Sequence, residues 1–183
     1  MAARERWMES PIGGLRLVAE DGALVGLFME EHARAPALAA AAGEGDPVLD
    51  EAARQLAAWF AGERTSFDLP LEPKGTPFQI AVWKALREIP YGETRSYRDI
   101  AAGLGRPKAV RAVGAANARN PIAIIVPCHR VIGASGALTG YAGGVPRKRW
   151  LLGHEREVLA QGGQRVGAGA QGCLALVPGR RTP

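Results

Sequence analysis

The chain holds two cysteines, Cys128 and Cys173, and only Cys128 stands among groups able to make a thiol reactive. It closes an apolar run, Ile122 to Val126 and then Pro127, and is followed directly by His129 and Arg130. A free thiol ionises near pH ~8.5, so a nucleophilic cysteine needs a base or a positive field to be populated as thiolate at neutral pH. His129 is such a base, and Arg130 with the cationic segments around it is such a field. The alternative is a small buried hydrophobe, the ordinary role of an unpaired cysteine. On an extended segment neighbouring side chains point to opposite sides, so Cys128 and His129 meet only through a turn or a water. With a basic, Gly-rich stretch between them, the two thiols make no disulfide framework and suit a reducing compartment.

The elements that must position Cys128 follow from local signals. The run Ile122 to Val126 reads as a short buried strand. Upstream, Pro107 opens a helix to about Arg119, in which Lys108, Arg111 and Arg119 alternate with Ala109, Ala112, Gly114, Ala115 and Ala116. Small residues there suit either close approach to another surface or tight packing within the protein. A shorter helix starts at Ser96, with Asp99 three residues on, and ends at Leu104-Gly105. The two have the spacing of a helix-turn-helix across Gly105-Arg106. Before them, Thr76-Pro77-Phe78-Gln79 is a capping box opening a helix to about Glu88 that buries Phe78, Val82, Leu86 and Ile89. Downstream, Val131 to Gly144 suits a hairpin or wing, and a last helix covers Arg147 to Glu155. The stretch beyond Arg156 lacks periodicity and is expected to be poorly ordered.

The N-terminal part reads as an antiparallel meander of three strands, Trp7 to Ser10, Leu15 to Ala19 and Leu24 to Met29, with Pro11 to Gly14 and Asp21-Gly22 as turns. Residues 33–45 read as a loop. Asp46 and Pro47 then open a helix with Leu49, Ala53, Leu56, Trp59 and Phe60 on one face, closed by Gly62. The fold class is α+β: a small antiparallel-sheet domain over 1–75, a mostly helical domain over 76–156 and a flexible tail over 157–183.

At 183 residues, 47% of them hydrophobic and 22% charged, the composition is globular. No run approaches a membrane span and no apolar leader opens the chain, so a cytoplasmic protein with no membrane association is expected. The net charge of +5 is unevenly spread. Residues 1–75 carry 7 Lys/Arg against 13 Asp/Glu, net −6, and residues 76–183 carry 16 against 5, net +11. The second half therefore suits a polyanion, although a solvated basic face gives the same count.

The motifs become specific when read together: Asn120-Pro121, Ile124 to Gly133 with Pro127-Cys128-His129-Arg130 inside it, Gly140-Tyr141-Ala142-Gly143-Gly144, and Trp150 to Glu155. From about Thr76 to Glu155 the chain resembles the O6-alkylguanine-DNA alkyltransferases, most closely the constitutive bacterial form. The resemblance implies a ribonuclease H-like N-terminal domain and a winged helix-turn-helix. It implies a single-turnover transfer of an alkyl group from O6 of guanine, or O4 of thymine, to Cys128. His129, oriented by Glu155, is the implied base, acting through a water. Asn120 braces the turn before the site, Arg130 is structural, and Tyr97 protonates or hydrogen-bonds the departing guanine. Val131, Tyr141 and Ala142 line the base pocket, with the Ala142 N–H reaching O6. The implied partner is double-stranded DNA bound by a monomer through its minor groove. Arg111 enters the duplex where the base flips out, and Ala112, Gly114 and Ala115 let the helix approach closely. No cofactor is implied. Some members hold zinc in the N-terminal unit, but this chain has only His32 there and no cysteine before Cys128, so no metal is expected. His32 reads as a surface residue and Cys173 as an incidental thiol. Competing readings are a non-enzymatic lesion sensor, which Cys128 argues against, a plain helix-turn-helix regulator, and a thiol hydrolase using Cys128 and His129.

Overall fold

The structure, a computed structural model, describes residues 3–30 and 41–169, with the backbone alone for 41–42 and 163–169. His32 and Cys173 lie outside the described residues.

Strands β1 (Arg4–Met8), β2 (Leu15–Glu20) and β3 (Ala23–Met29) form the antiparallel meander, and β4 (Ala41–Ala42) joins β1 in parallel, giving the order β3-β2-β1-β4. β1 starts earlier than its apolar pattern suggests and stops before Ser10. That serine is taken up by the turn, where its Oγ donates to the Gly13 carbonyl at 2.6 Å and its own carbonyl receives the Gly13 N–H at 3.0 Å. Helix α1 (Pro47–Phe60) begins where Asp46 accepts the N–H groups of Val48 and Leu49, with Pro47 in its first turn. It lays Leu49, Leu56 and Trp59 against Leu15 and Leu17 of the sheet, all fully buried.

Helix α2 (Pro77–Arg87) carries both bonds of the Thr76/Gln79 capping box, and α3 (Tyr97–Gly103) both bonds of a Ser96/Asp99 box. Helix α4 (Val110–Ala118) starts three residues later than Pro107. The Ala109 N–H instead closes a turn onto the Arg106 carbonyl at 2.8 Å, and no side chain caps the helix.

The segment 122–126 is not a strand. It touches the outer edge of β3 at one position, Ile122 beside Leu27, through Leu27 N–H to Pro121 O (2.8 Å) and Ala123 N–H to Leu27 O (3.1 Å). It then turns sharply, with Ile124 at φ 68°, a left-handed conformation costly for a β-branched residue. Asn120 sustains that turn by donating to Val126 O at 2.8 Å and Ile122 O at 3.4 Å and accepting the Ile122 N–H at 3.1 Å. Beyond it, Cys128–Arg130 form one 3₁₀ turn. Of the stretch read as a hairpin, only β6 (Val131–Ile132) is strand, and it pairs in parallel with β5 (Arg95–Ser96). Helix α5 (Val145–Gly169) runs past Glu155, through residues whose composition suggests the start of a loose tail. One apolar core joins the two halves, from Leu27 and Trp59 through Val82 and Ile122 to Leu151. No helix of the described residues is long and apolar enough to cross a membrane.

Candidate active site

The 3₁₀ turn carries Cys128 and His129 into the interior, where they are 6% and 0% exposed. Its start is held by Asn117, whose amide donates to the Cys128 carbonyl at 3.4 Å, and its end by the Val131 N–H on the same carbonyl. His129 Nε2 lies 2.7 Å from Glu155 Oε1. Arg130 donates from Nε to both carboxylate oxygens (3.1 and 3.0 Å), from Nη2 to Oε1 (2.9 Å) and from Nη1 to the Ile89 carbonyl (2.7 Å). The Gly92 N–H completes the shell of Glu155 at 2.8 Å.

Burial alone would raise the Glu155 carboxyl, but the bonds and charges of His129 and Arg130 outweigh it and hold the group at about 2. Burial pushes the His129 imidazolium the other way, below its ordinary range, so the ring is neutral. A neutral ring beside a carboxylate donates from Nε2, which leaves the lone pair on Nδ1. That atom is buried and has no protein partner. The resting state is therefore a carboxylate, a neutral imidazole and an available basic nitrogen.

Cys128 is not the pre-formed thiolate its basic surroundings suggest. Burial raises its pKa above the usual thiol value, and the Asn120 amide, the Lys148 charge and the Tyr141 hydroxyl only partly offset this. Arg130, the adjacent cation in sequence, is engaged by Glu155 and Ile89. The cation facing the thiol is Lys148, a residue to which the sequence pattern assigns no role. It is fully buried, and its ammonium donates to Val131 O at 2.5 Å and Thr139 O at 3.2 Å while lying 6.0 Å from the ring centres of both Tyr97 and Tyr141. Burial lowers its pKa, and the neighbouring Cys128 opposes that fall. Tyr97 is half-buried and donates to Thr139 O at 3.2 Å. The Tyr141 hydroxyl is buried and near the thiol without meeting the geometry of a hydrogen bond, and burial raises its pKa well above the ordinary value.

Two family models divide the chain between them. Residues 3–73 match "6-O-methylguanine DNA methyltransferase, ribonuclease-like domain" and residues 77–157 match "6-O-methylguanine DNA methyltransferase, DNA binding domain". The chain belongs to this methyltransferase family. A methylated-DNA--protein-cysteine methyltransferase of Methanosarcina barkeri is 54% identical over 145 residues, 79% of this chain and 92% of the relative. The constitutive enzyme of Bacillus subtilis is 51% identical over 163 residues, 81% and 92% of the two chains. The crystal structure of Mycobacterium tuberculosis OGT in complex with DNA superposes with a TM-score of 0.77 at 54% identity, covering 85% of this chain and 94% of that one.

The methyltransferase brings Cys128, His129, Glu155, Asn120, Tyr97 and Tyr141 into one region. Val131 is fully buried and faces the site through its carbonyl, and Ala142 is half-buried on the loop between Gly140 (φ 60°) and Gly144 (φ 87°). Helix α4 separates its residues by face. Val113, Ala116 and Asn117 are buried, while Arg111, Ala112 and Ala115 are exposed and Gly114 rests near the Tyr97 ring. A cavity of about 450 Å³ between the sheet and Trp83, Ala118 and Asn120 lies apart from the thiol.

Proposed function

We propose that this methyltransferase repairs DNA by moving an alkyl group from O6 of guanine to Sγ of Cys128, once per molecule. The observation that carries it is the neutral His129, held by Glu155 and left with a partnerless Nδ1 on the same turn as the buried thiol. Through a bridging water Nδ1 takes the thiol proton. The sulfur then forms a bond to the alkyl carbon as that carbon's bond to O6 breaks, and the electron pair leaves on the guanine. The Tyr97 hydroxyl supplies a proton or hydrogen bond to that anion, and the Ala142 N–H reaches O6. Val131 and Tyr141 wall the pocket.

The reacting carbon lies inside the base stack, so the nucleotide flips out. The exposed face of α4, with Arg111 among Ala112, Gly114 and Ala115, suits the narrow minor groove, where Arg111 fills the gap left by the base. In this reading α3 and α4 are the helix-turn-helix, residues 131–144 the wing, 1–75 a ribonuclease H-like domain and 76–156 the catalytic domain. The protein acts as a cytoplasmic monomer on O6-alkylguanine.

Intact-mass analysis and peptide mapping after incubation with a duplex carrying O6-methylguanine test the central step. One methyl per protein on the Cys128 peptide, absent in Cys128→Ala with duplex binding retained, is the expected result. A methyl on another residue, or several equivalents turned over, overturns it.

A further inference from the structure

Arg147 and Lys148 are neighbours on the first turn of α5, yet they reach in different directions. Lys148 bonds to the carbonyls of Val131 and Thr139, the latter just before the loop Gly140–Gly144. Arg147 holds the other end of that loop. Its Nη1 donates to the Gly143 carbonyl at 3.1 Å, and its Nε crosses to the N-terminal unit and donates to the Ile12 carbonyl at 2.9 Å. A guanidinium is suited to this, because its donors sit in a rigid fork that serves two acceptors at once.

Both ends of this bridge are constrained. Ile12 belongs to the turn closed by Ser10 and Gly13, and the adjoining Gly14 carbonyl receives the Glu30 N–H at 2.9 Å. On the loop side, Gly143 is pressed against the end of β3, where a Cβ would collide with Met29 Sδ. The loop itself is pivoted on two glycines of positive φ, Gly140 and Gly144, and so depends on its anchors for its position. Between those pivots lie Tyr141 and Ala142.

We infer that Arg147 is a positioning residue that fixes the lip of the base-binding loop to the N-terminal unit, and thereby sets the size of alkyl group admitted to Cys128. The inference rests on the alkyl-transfer reading above. It gives the N-terminal unit, remote in sequence from the thiol, a part in substrate selection. With the tether cut, the loop opens. A small group is then held less well in line with sulfur, and a bulky one gains room.

Single-turnover transfer from duplexes carrying O6-methylguanine or O6-benzylguanine reads this directly. In Arg147→Ala the methyl rate is expected to fall about tenfold, the worth of one charge-assisted hydrogen bond, with the benzyl rate held or raised, so the benzyl-to-methyl ratio rises about tenfold. Amides of residues 141–144 should exchange with solvent faster, and Arg147→Lys, which reaches one carbonyl and not both, should fall between. An unchanged ratio, or an equal loss on both substrates, overturns the inference. If Arg147→Ala does not fold, Arg147→Lys decides on the same ratio, and an unchanged value there overturns it equally. A wild-type protein that transfers no methyl overturns the alkyl-transfer reading itself, which separates the two failures.

Discussion

Cys128 has two unlike flanks. On one, Glu155 is saturated by His129, Arg130 and Gly92, while His129 Nδ1 is left without a partner, as is the hydroxyl of Tyr91, whose ring lies under Arg130. On the other, Tyr97 and Tyr141 surround Lys148, the Tyr141 hydroxyl has no partner, and the chain between Gly140 and Gly144 pivots on glycines. The first flank has its carboxylate fully bonded and so sets a protonation state. The second keeps the Tyr141 hydroxyl free and its backbone adjustable, as a surface can when another molecule is to complete it.

The two flanks differ most at Glu155. In Glu155→Gln the buried Arg130 guanidinium loses its counter-charge, and unfolding in denaturant should show a loss of about 3–5 kcal/mol. The pH dependence sharpens this. Glu155 is held at about 2 against an ordinary 4.5, and His129 lies below its ordinary 6.5, so the folded protein binds fewer protons than the unfolded chain. Their stabilisation is complete above pH 6.5 and is lost on acidification, first through His129 and then, between 4.5 and about 2, through Glu155. The loss across the lower window should shrink in Glu155→Gln to the part carried by surface carboxylates such as Glu51, likewise held at about 2 by Arg54 and Gln55; identical stability profiles in the two proteins there would refute the charge assignment.

On the open flank, Tyr97→Phe removes one hydroxyl whose resting partner is the Thr139 carbonyl. The single-turnover rate should fall about ten- to a hundredfold, while unfolding free energy shifts by about 1 kcal/mol or less. A wild-type rate returns Tyr97 to packing against Gly114. Smallest of all should be the stability change in Tyr141→Phe. Its hydroxyl is buried without a hydrogen bond, so its removal should leave stability within about 1 kcal/mol of wild type, on the favourable side. A large destabilisation would mean that the second flank is bonded as completely as the first.

Much of this arrangement is legible in the residues alone. The helix starts at Asp46, Thr76 and Ser96 are local chemistry, a side-chain oxygen meeting N–H groups two or three residues on, so sequence suffices to place them. The candidate site is legible for a different reason, since it is the resemblance to the family, and not local chemistry, that pairs Cys128 and His129 with Glu155, 26 residues on. The segment 122–126 departs from expectation because five apolar residues suit a strand and a buried turn equally. What selects the turn is Asn120 folding back on Ile122 and Val126 while β3 engages only Ile122. Lys148 escapes a reading of the sequence for a related reason. A lysine on a helix ordinarily extends to solvent, and its burial depends on carbonyls 9 and 17 residues away.

The residues alone thus gave the helix starts at Asp46, Thr76 and Ser96, the family and the candidate cysteine, since each rests on residue identities at short or fixed spacing. The tertiary structure decided which charge faces that cysteine, which nitrogen of His129 is free and how the N-terminal hairpin reaches the loop over the site. Those depend on burial and on which backbone carbonyls converge, and neither is encoded at any one position.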